Sequence, residues 1–427
     1  MRSSIKISIS SLLKFQIYFV LVIEGIISLV HIPGFFRYIS DVNFLFVFIV
    51  YLSQRRKAKY DLITTNLFRY IILYILGLLT YAFIRLVPIG QIVWAFRNNF
   101  FYILFGLLCV VYFDKNDVDE IFGTIVKFQV LNFLCGLLEF FVFHYRDDYL
   151  GGMFGTAQGC NGLLNTYLVV ICTYTISKYV LKQSTIIELL WILFSSLVMA
   201  ALAELKFFYI ELFLIVLFVL LMSKQSNKKI MIGIGTLIAL FFGMQILSVV
   251  SPDSMQLFMD RENMLEYLTR SDFGNDDVRI ARFTAIAQIN KTFFGDNVAF
   301  RLFGFGFGAC EDSETFSFFN SAFANNYSYL GYRNLSVSML YLETGIIGLA
   351  LFIYLFIRII YIGNVVKNAQ LSRYSNHYVI FVQVLCLMSI VGIWYNSAIR
   401  RPIAYLTFFC LSVLFILLKD SEIESFD

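Results

Sequence analysis

Six side chains stand out for the chemistry they could share: Arg146, Lys206, Arg279, Arg282, Glu343 and His144. In the stretch Val278 to Ile289 (VRIARFTAIAQI) polar and apolar residues alternate at helical spacing, which predicts a helix with Arg279 and Arg282 as neighbours on one face. Two adjacent guanidiniums suit a pyrophosphate, since each offers planar, permanently charged donors that bind phosphate oxygens in pairs. The same arginines could instead pair with Asp272, Asp276 or Asp277 on a solvated face. Arg146 lies in a second segment, His144 to Asn161 (HYRDDYLGGMFGTAQGCN). Both segments carry an arginine followed, after twelve residues, by a glycine: Arg146 with Gly159 and Arg282 with Gly295. Lys206 could reach a phosphate, or could snorkel to a membrane interface. Glu204 and Glu211, seven apart, are expected on one helical stripe, with Lys206 pointing elsewhere. Glu343 and His144 are the groups that could take a proton from a hydroxyl.

Other patterns carry less chemistry. The run Leu302-Phe303-Gly304-Phe305-Gly306-Phe307-Gly308 has no following lysine and no strand-turn-helix setting, so it is not a nucleotide motif; its glycines suit a turn or a close backbone approach. His31, His144 and His377 are scattered. Five of the seven cysteines (Cys109, Cys135, Cys172, Cys386, Cys410) sit in apolar stretches as small buried hydrophobes. Cys160 and Cys310 lie in the two arginine-bearing segments and could be bridged, but an accidental pair is the expectation. No metal site and no cofactor is expected.

What must position these groups is a membrane bundle. The 427 residues are 59% hydrophobic and 15% charged, with a mean hydropathy of +0.77, whereas a water-soluble chain carries about 25% charged residues. That excludes cytosolic enzymes and disulfide scaffolds, and a net charge of +4 is too mild for a nucleic-acid partner. Twelve apolar stretches, at 12–32, 36–53, 67–87, 94–113, 121–143, 161–181, 186–203, 206–222, 230–250, 337–361, 377–396 and 402–418, approach the roughly 20 residues a helix needs to cross a bilayer. The expectation is an all-α polytopic membrane protein of about 12 transmembrane helices, a single integral domain over 1–427. Its one long break, 251–336, is rich in aromatic residues and so reads as ordered. Basic residues in alternate short connections (Arg55, Arg56, Lys57 and Lys59; Lys178 and Lys182; Lys224, Lys228 and Lys229; Lys367 and Arg373) place both termini in the cytoplasm and the long loop outside. The first apolar stretch lacks a small-residue cleavage site and is taken as an uncleaved span. Arg85, Arg97, Arg400 and Arg401 then form an outward excess of positive charge, suited to an anionic ligand or to lipid headgroups.

The order of these features resembles the O-antigen polymerase and O-antigen ligase superfamily. The resemblance covers most of the chain. It is carried by Gly151-Gly152-Met153-Phe154-Gly155-Thr156 leading to Asn161, by Ala203-Glu204-Leu205-Lys206 at a span end, and by a long outward loop. Within that loop an arginine-bearing segment leads to Leu302-Phe303-Gly304-Phe305-Gly306, and Leu342-Glu343-Thr344-Gly345-Ile346-Ile347-Gly348-Leu349 opens the next span. Family polymerases likewise carry arginine-glycine motifs in their third and fifth outward loops, with a spacer of ten residues where this chain has twelve. The resemblance implies a GT-C-like, metal-independent membrane glycosyltransferase of the bacterial cytoplasmic membrane. It would move a growing glycan from undecaprenyl pyrophosphate to the next lipid-linked repeat unit, making O-antigen or capsule. Arg279, Arg282, Arg146 and Lys206 would bind the pyrophosphate, and Glu343 or His144 would serve as base. It also implies membrane lipids, a flippase and a chain-length regulator as partners. A ligase, or a flippase or transporter without bond formation, is the alternative.

Overall fold

The computed structural model describes residues 8–54, 62–223, 229–252, 280–313, 315–368 and 376–423. Among them are twelve helices of 15 residues or more: α1 (Ile9–Val30), α2 (Ile39–Ser53), α3 (Leu62–Ile84), α4 (Ile89–Tyr112), α5 (Lys115–Phe141), α6 (Asn161–Val180), α7 (Ile186–Leu202), α8 (Lys206–Met222), α9 (Lys229–Val250), α10 (Ser336–Asn368), α11 (Asn376–Tyr395) and α12 (Ala404–Ile423). Every apolar stretch of the sequence is therefore helical. Seven of the described helices are long and apolar enough to cross a membrane, an all-α arrangement consistent with a multi-pass membrane bundle.

Local chemistry sets the helix starts. Asp114 caps α5 in a reciprocal box with Asp117, and Thr185 caps α7 through the Glu188 amide. Short turns then send the chain back, so the long loop, the α5–α6 connection and the α11–α12 turn share one face, here called the loop face. On the opposite face Lys14 bridges α1 to Asp117 and Glu120 of α5, and Lys419 of α12 donates to the Val110 and Phe113 carbonyls at the end of α4. α4, α6, α11 and α12 form the interior, whereas α2 and α3 keep apolar side chains such as Val42, Ile49, Leu73 and Leu76 exposed. That exposure is expected where lipid is the solvent. Enclosure also explains why α6 falls outside the seven: with nearly all of it buried, it carries Thr173, Thr175 and Ser177 at positions where a lipid-facing helix would carry leucine. Close approach fixes the interior, since a Cβ on Gly106 of α4 would stand 2.8 Å from the Phe408 carbonyl of α12.

The fold departs from the sequence expectation in three places. The predicted helix over Val278 to Ile289 is only Ala285–Ile289, preceded by a turn that holds Arg282 and followed by a π-helical turn, Asn290–Phe294. The Ile280 amide is drawn away to the Leu330 carbonyl at 3.0 Å, and Gln288 Oε1 accepts from the Ala281 amide at 2.8 Å, so the helix starts late. Arg279 lies outside the described residues. Glu204 shares no helix with Glu211: it sits in the α7–α8 turn at φ 50°, and α8 begins only at Lys206. Finally, α10 is broken at Gly345, where φ is +62°. The break releases two carbonyls to the glycine run of the long loop, Phe305 donating to Leu342 at 2.8 Å and Gly306 to Glu343 at 3.0 Å. Gly304, Gly306 and Gly308 all have positive φ, and each lies where a Cβ would press on neighbouring chain.

Candidate functional site

The loop face is organised by buried charge. Asp41 of α2 accepts from Arg97 of α4 at 2.9 Å and from the Tyr405 hydroxyl of α12 at 2.7 Å. Arg97 donates to Asn98 Oδ1 at 2.8 Å, Asn98 donates to Glu311 of the long loop at 2.8 Å, and Glu311 is ion-paired with Arg400. Arg400 also donates to Asn99 Oδ1 at 3.1 Å. Beside this chain of contacts Trp94 donates to the Asp312 carbonyl at 3.1 Å and stacks on Phe319, centroids 4.7 Å apart. The loop is thus clamped onto α2, α4 and the α11–α12 turn by groups that water barely reaches, where losing one partner of a charge pair costs about 3–5 kcal/mol.

Glu343 belongs to the same region. It is 2% exposed, at the break in α10, and accepts from the Cys310 amide at 3.2 Å and from the Gly308 amide. His144 stands apart, exposed just beyond α5 with φ 59°, making no hydrogen bond or ion pair among the described residues.

Cationic side chains edge a second feature. A small cleft, enclosing about 40 Å3 beneath an open mouth, runs between α6, α8, α11 and α12. Its walls mix polar side chains (Asn165, Glu211, Ser389, Asn396, Thr407) with apolar ones (Val169, Leu385, Met388, Ile399). Glu211 is 2% exposed and accepts from Asn165 Nδ2 at 2.8 Å. Next to Asn396, the Tyr395 ring stacks on Phe207 with centroids 4.4 Å apart, and the Arg282 guanidinium lies 5.1 Å from the Tyr395 centroid while Arg282 Nε donates to the Tyr395 carbonyl at 3.4 Å. Phe207 follows Lys206 on α8. Lys206 in turn faces Asp147 of the α5–α6 loop, where burial, Asp148 and Glu204 push the carboxyl up to about 6 and Lys206 pulls it back. Arg146, adjacent in sequence, lays its guanidinium 3.4 Å from the Phe140 centroid. Arg282 beside Tyr395, and Lys206 next to Phe207 and facing Asp147 of the Arg146 loop, thus make a cationic rim next to Asn396, which lines a cleft of mixed polar and apolar walls.

Glycines shape that rim. Glu139 of α5 accepts from the Gly152 amide at 2.6 Å and the Gly151 amide at 3.2 Å, and Asn132 Oδ1 accepts from Met153 at 3.1 Å, which folds the Gly151–Gly155 segment against α1. The sequence reading missed Glu139, Glu311 and Asn165. A usable signal existed for the clamp, since Arg97 and Arg400 were in excess on one side and so required carboxylates. Neither a scan against protein-family models nor a search of curated proteins returns a match to this chain.

Proposed function

We propose that the chain is a bacterial surface-polysaccharide polymerase of GT-C-like architecture, with all twelve long helices crossing the cytoplasmic membrane, the long loop outside and both termini inside. It transfers a growing glycan from undecaprenyl pyrophosphate to a hydroxyl of the next lipid-linked repeat unit. The observation that carries this reading is the rim: Arg282 and Lys206, with the Arg146 loop beside Lys206, flank the stacked pair Phe207 and Tyr395, next to a cleft whose walls mix hydroxyl and amide groups with apolar side chains. Fixed cations at such a rim bind a pyrophosphate and stabilise the charge that grows on it as it leaves. Hydroxyl and amide groups in a partly apolar wall and an aromatic face suit a sugar. Flippase and chain-length partners would meet the enzyme through the lipid-linked substrate they share.

The test is a liposome assay with a lipid-pyrophosphate-linked repeat unit as sole substrate and no nucleotide. A ladder of lengthening glycan is expected from the wild type, with a loss of at least tenfold in Arg282→Ala and partial retention in Arg282→Lys. Transfer to a different acceptor without a ladder would point to a ligase. One observation favours transport, the interrupted α10, since broken helices mark transporter sites; here, however, the glycine run of the chain's own loop occupies the break. Movement of lipid-linked sugar without bond formation would establish that reading instead.

A further inference from the structure

We propose that Glu211 is the base that takes the proton of the acceptor hydroxyl, and that the cleft it lines admits the hydroxyl-bearing edge of the acceptor sugar; the assignment rests on the transferase reading above. Five carboxylates are buried among the described residues: Asp41, Glu139, Glu211, Glu311 and Glu343. Four of them are spoken for. Asp41 holds Arg97 and Tyr405, Glu311 holds Arg400 and Asn98, Glu139 takes two glycine amides, and Glu343 takes the Cys310 and Gly308 amides. Glu211 has a single neutral donor, Asn165 Nδ2, and no cation paired with it in the described structure. It also lines the cleft, whose walls include none of the other four.

A second observation points to a ligand. Asn165 is 1% exposed, yet its Oδ1 has no hydrogen-bond partner. A buried acceptor left unmet costs about 1–3 kcal/mol, and here it stands in the cleft wall beside a carboxylate. What the pair lacks is a donor. A sugar hydroxyl supplies one, donating to the carboxylate or to Asn165, and Thr407 and Ser389 in the same walls are available to neighbouring hydroxyls.

Glu211 lies five residues into α8 from Lys206, about 7.5 Å along the axis and about 140° round it, so Glu211 lines the cleft wall while Lys206 stands at the end of the helix. The acceptor oxygen bonds to the anomeric carbon as its proton passes to Glu211. The bond from that carbon to the pyrophosphate oxygen breaks, and its electron pair leaves with the lipid pyrophosphate, held at the rim by Arg282 and Lys206. Proton and charge then balance without an added co-reactant.

The experiment compares wild type, Glu211→Gln, Glu211→Asp and Gly392→Leu in the liposome assay, alongside a binding titration with inorganic pyrophosphate. Gly392 lines the cleft, and a Cβ there meets nothing within 4 Å, so the leucine side chain starts into the cleft without a clash at its first carbon. Expected is a fall in kcat of about 10²–10⁴-fold in Glu211→Gln, a partial return in Glu211→Asp, and a raised acceptor KM in Gly392→Leu, all with pyrophosphate affinity within threefold of wild type. An active wild type with Glu211→Gln or Gly392→Leu elongating at the wild-type rate would overturn the assignment and leave the transferase reading standing. A folded wild type that binds pyrophosphate but forms no glycosidic bond would remove both. Should Glu211→Gln fail to fold, Gly392→Leu decides the matter by itself.

Discussion

Asp147 shows how one side chain can set the pH dependence of the rim. Its carboxyl is pushed up to about 6 from 3.8 because burial and the Asp148 and Glu204 carboxylates oppose its charge, while Lys206 favours it. Below that value it is protonated and adds no negative charge beside Lys206. Above it, a new negative charge beside Lys206 competes with an incoming anion. The sign for stability is the same: a carboxyl with a raised folded pKa contributes stability in full below 3.8 and loses it as pH rises through about 6. Inorganic pyrophosphate is therefore expected to bind several-fold more tightly at pH 5.5 than at pH 7.5, and Asp147→Asn to flatten that difference. Calorimetric titration of both proteins checks this; equal slopes would show that Asp147 does not couple to the rim. Residues of this kind were hard to read in the sequence. Lys206 and Arg282 are visible as cations at apolar boundaries, but that Asp147 meets Lys206, or that Glu211 lacks a second donor, depends on contacts across 59 and 46 positions, which no local pattern encodes.

At the scale of elements, hydropathy revealed all twelve long helices because each is an unbroken apolar run, and it failed where helices stop for reasons other than composition. The start of the helix at Ala285 was one such failure, set by the pairing of Ile280 with Leu330. The break at Gly345 was another: Glu343-Thr344-Gly345 looks like a polar blemish in a span, whereas the chain there turns through a left-handed conformation so that Phe305 and Gly306 can hydrogen-bond to α10. A side chain at 345 is strained by its backbone, at about 1–3 kcal/mol, and would also collide with the Leu302 carbonyl. Gly345→Ala is thus expected to lower the thermal midpoint in detergent by several degrees and to expose residues 298–313 to protease. Gly77→Ala is its control, since a Cβ there meets open space in a helix interior; alanine should stabilise that position by about 0.5–1 kcal/mol. If Gly345→Ala melted with the wild type, the break would not be what docks the loop.

For the whole molecule, the arrangement of charge accounts for Arg97 and Arg400 of the outward arginine excess that the sequence presents, whereas Arg85 lies over the Phe300 ring and donates to the Phe305 carbonyl. On the loop face Arg37 pairs with Glu24, Arg97 with Asp41, Arg333 with Asp312 and Arg400 with Glu311. Each of these arginines is matched by a carboxylate within the fold, so none of them counts as an unbalanced charge holding that face in the cytoplasm. On the opposite face Lys115, Lys178, Lys182 and Lys367 gather at helix ends. That face has ion pairs of its own, Lys14 with Asp117 and Glu120 and Lys178 with Glu188, so the proposed orientation, loop face outside, rests on the basic connections read from the sequence. Its consequence is open to labelling. Tyr329 is 65% exposed on the long loop, and Gln183 is exposed in the α6–α7 turn on the other face. Six of the seven native cysteines are buried, so background reaction should be low. In intact cells a membrane-impermeant maleimide is expected to modify Tyr329→Cys and to reach Gln183→Cys only after permeabilisation. The reverse pattern would put the loop face in the cytoplasm, turning Arg282, Lys206 and Glu211 away from the compartment in which the proposed elongation takes place.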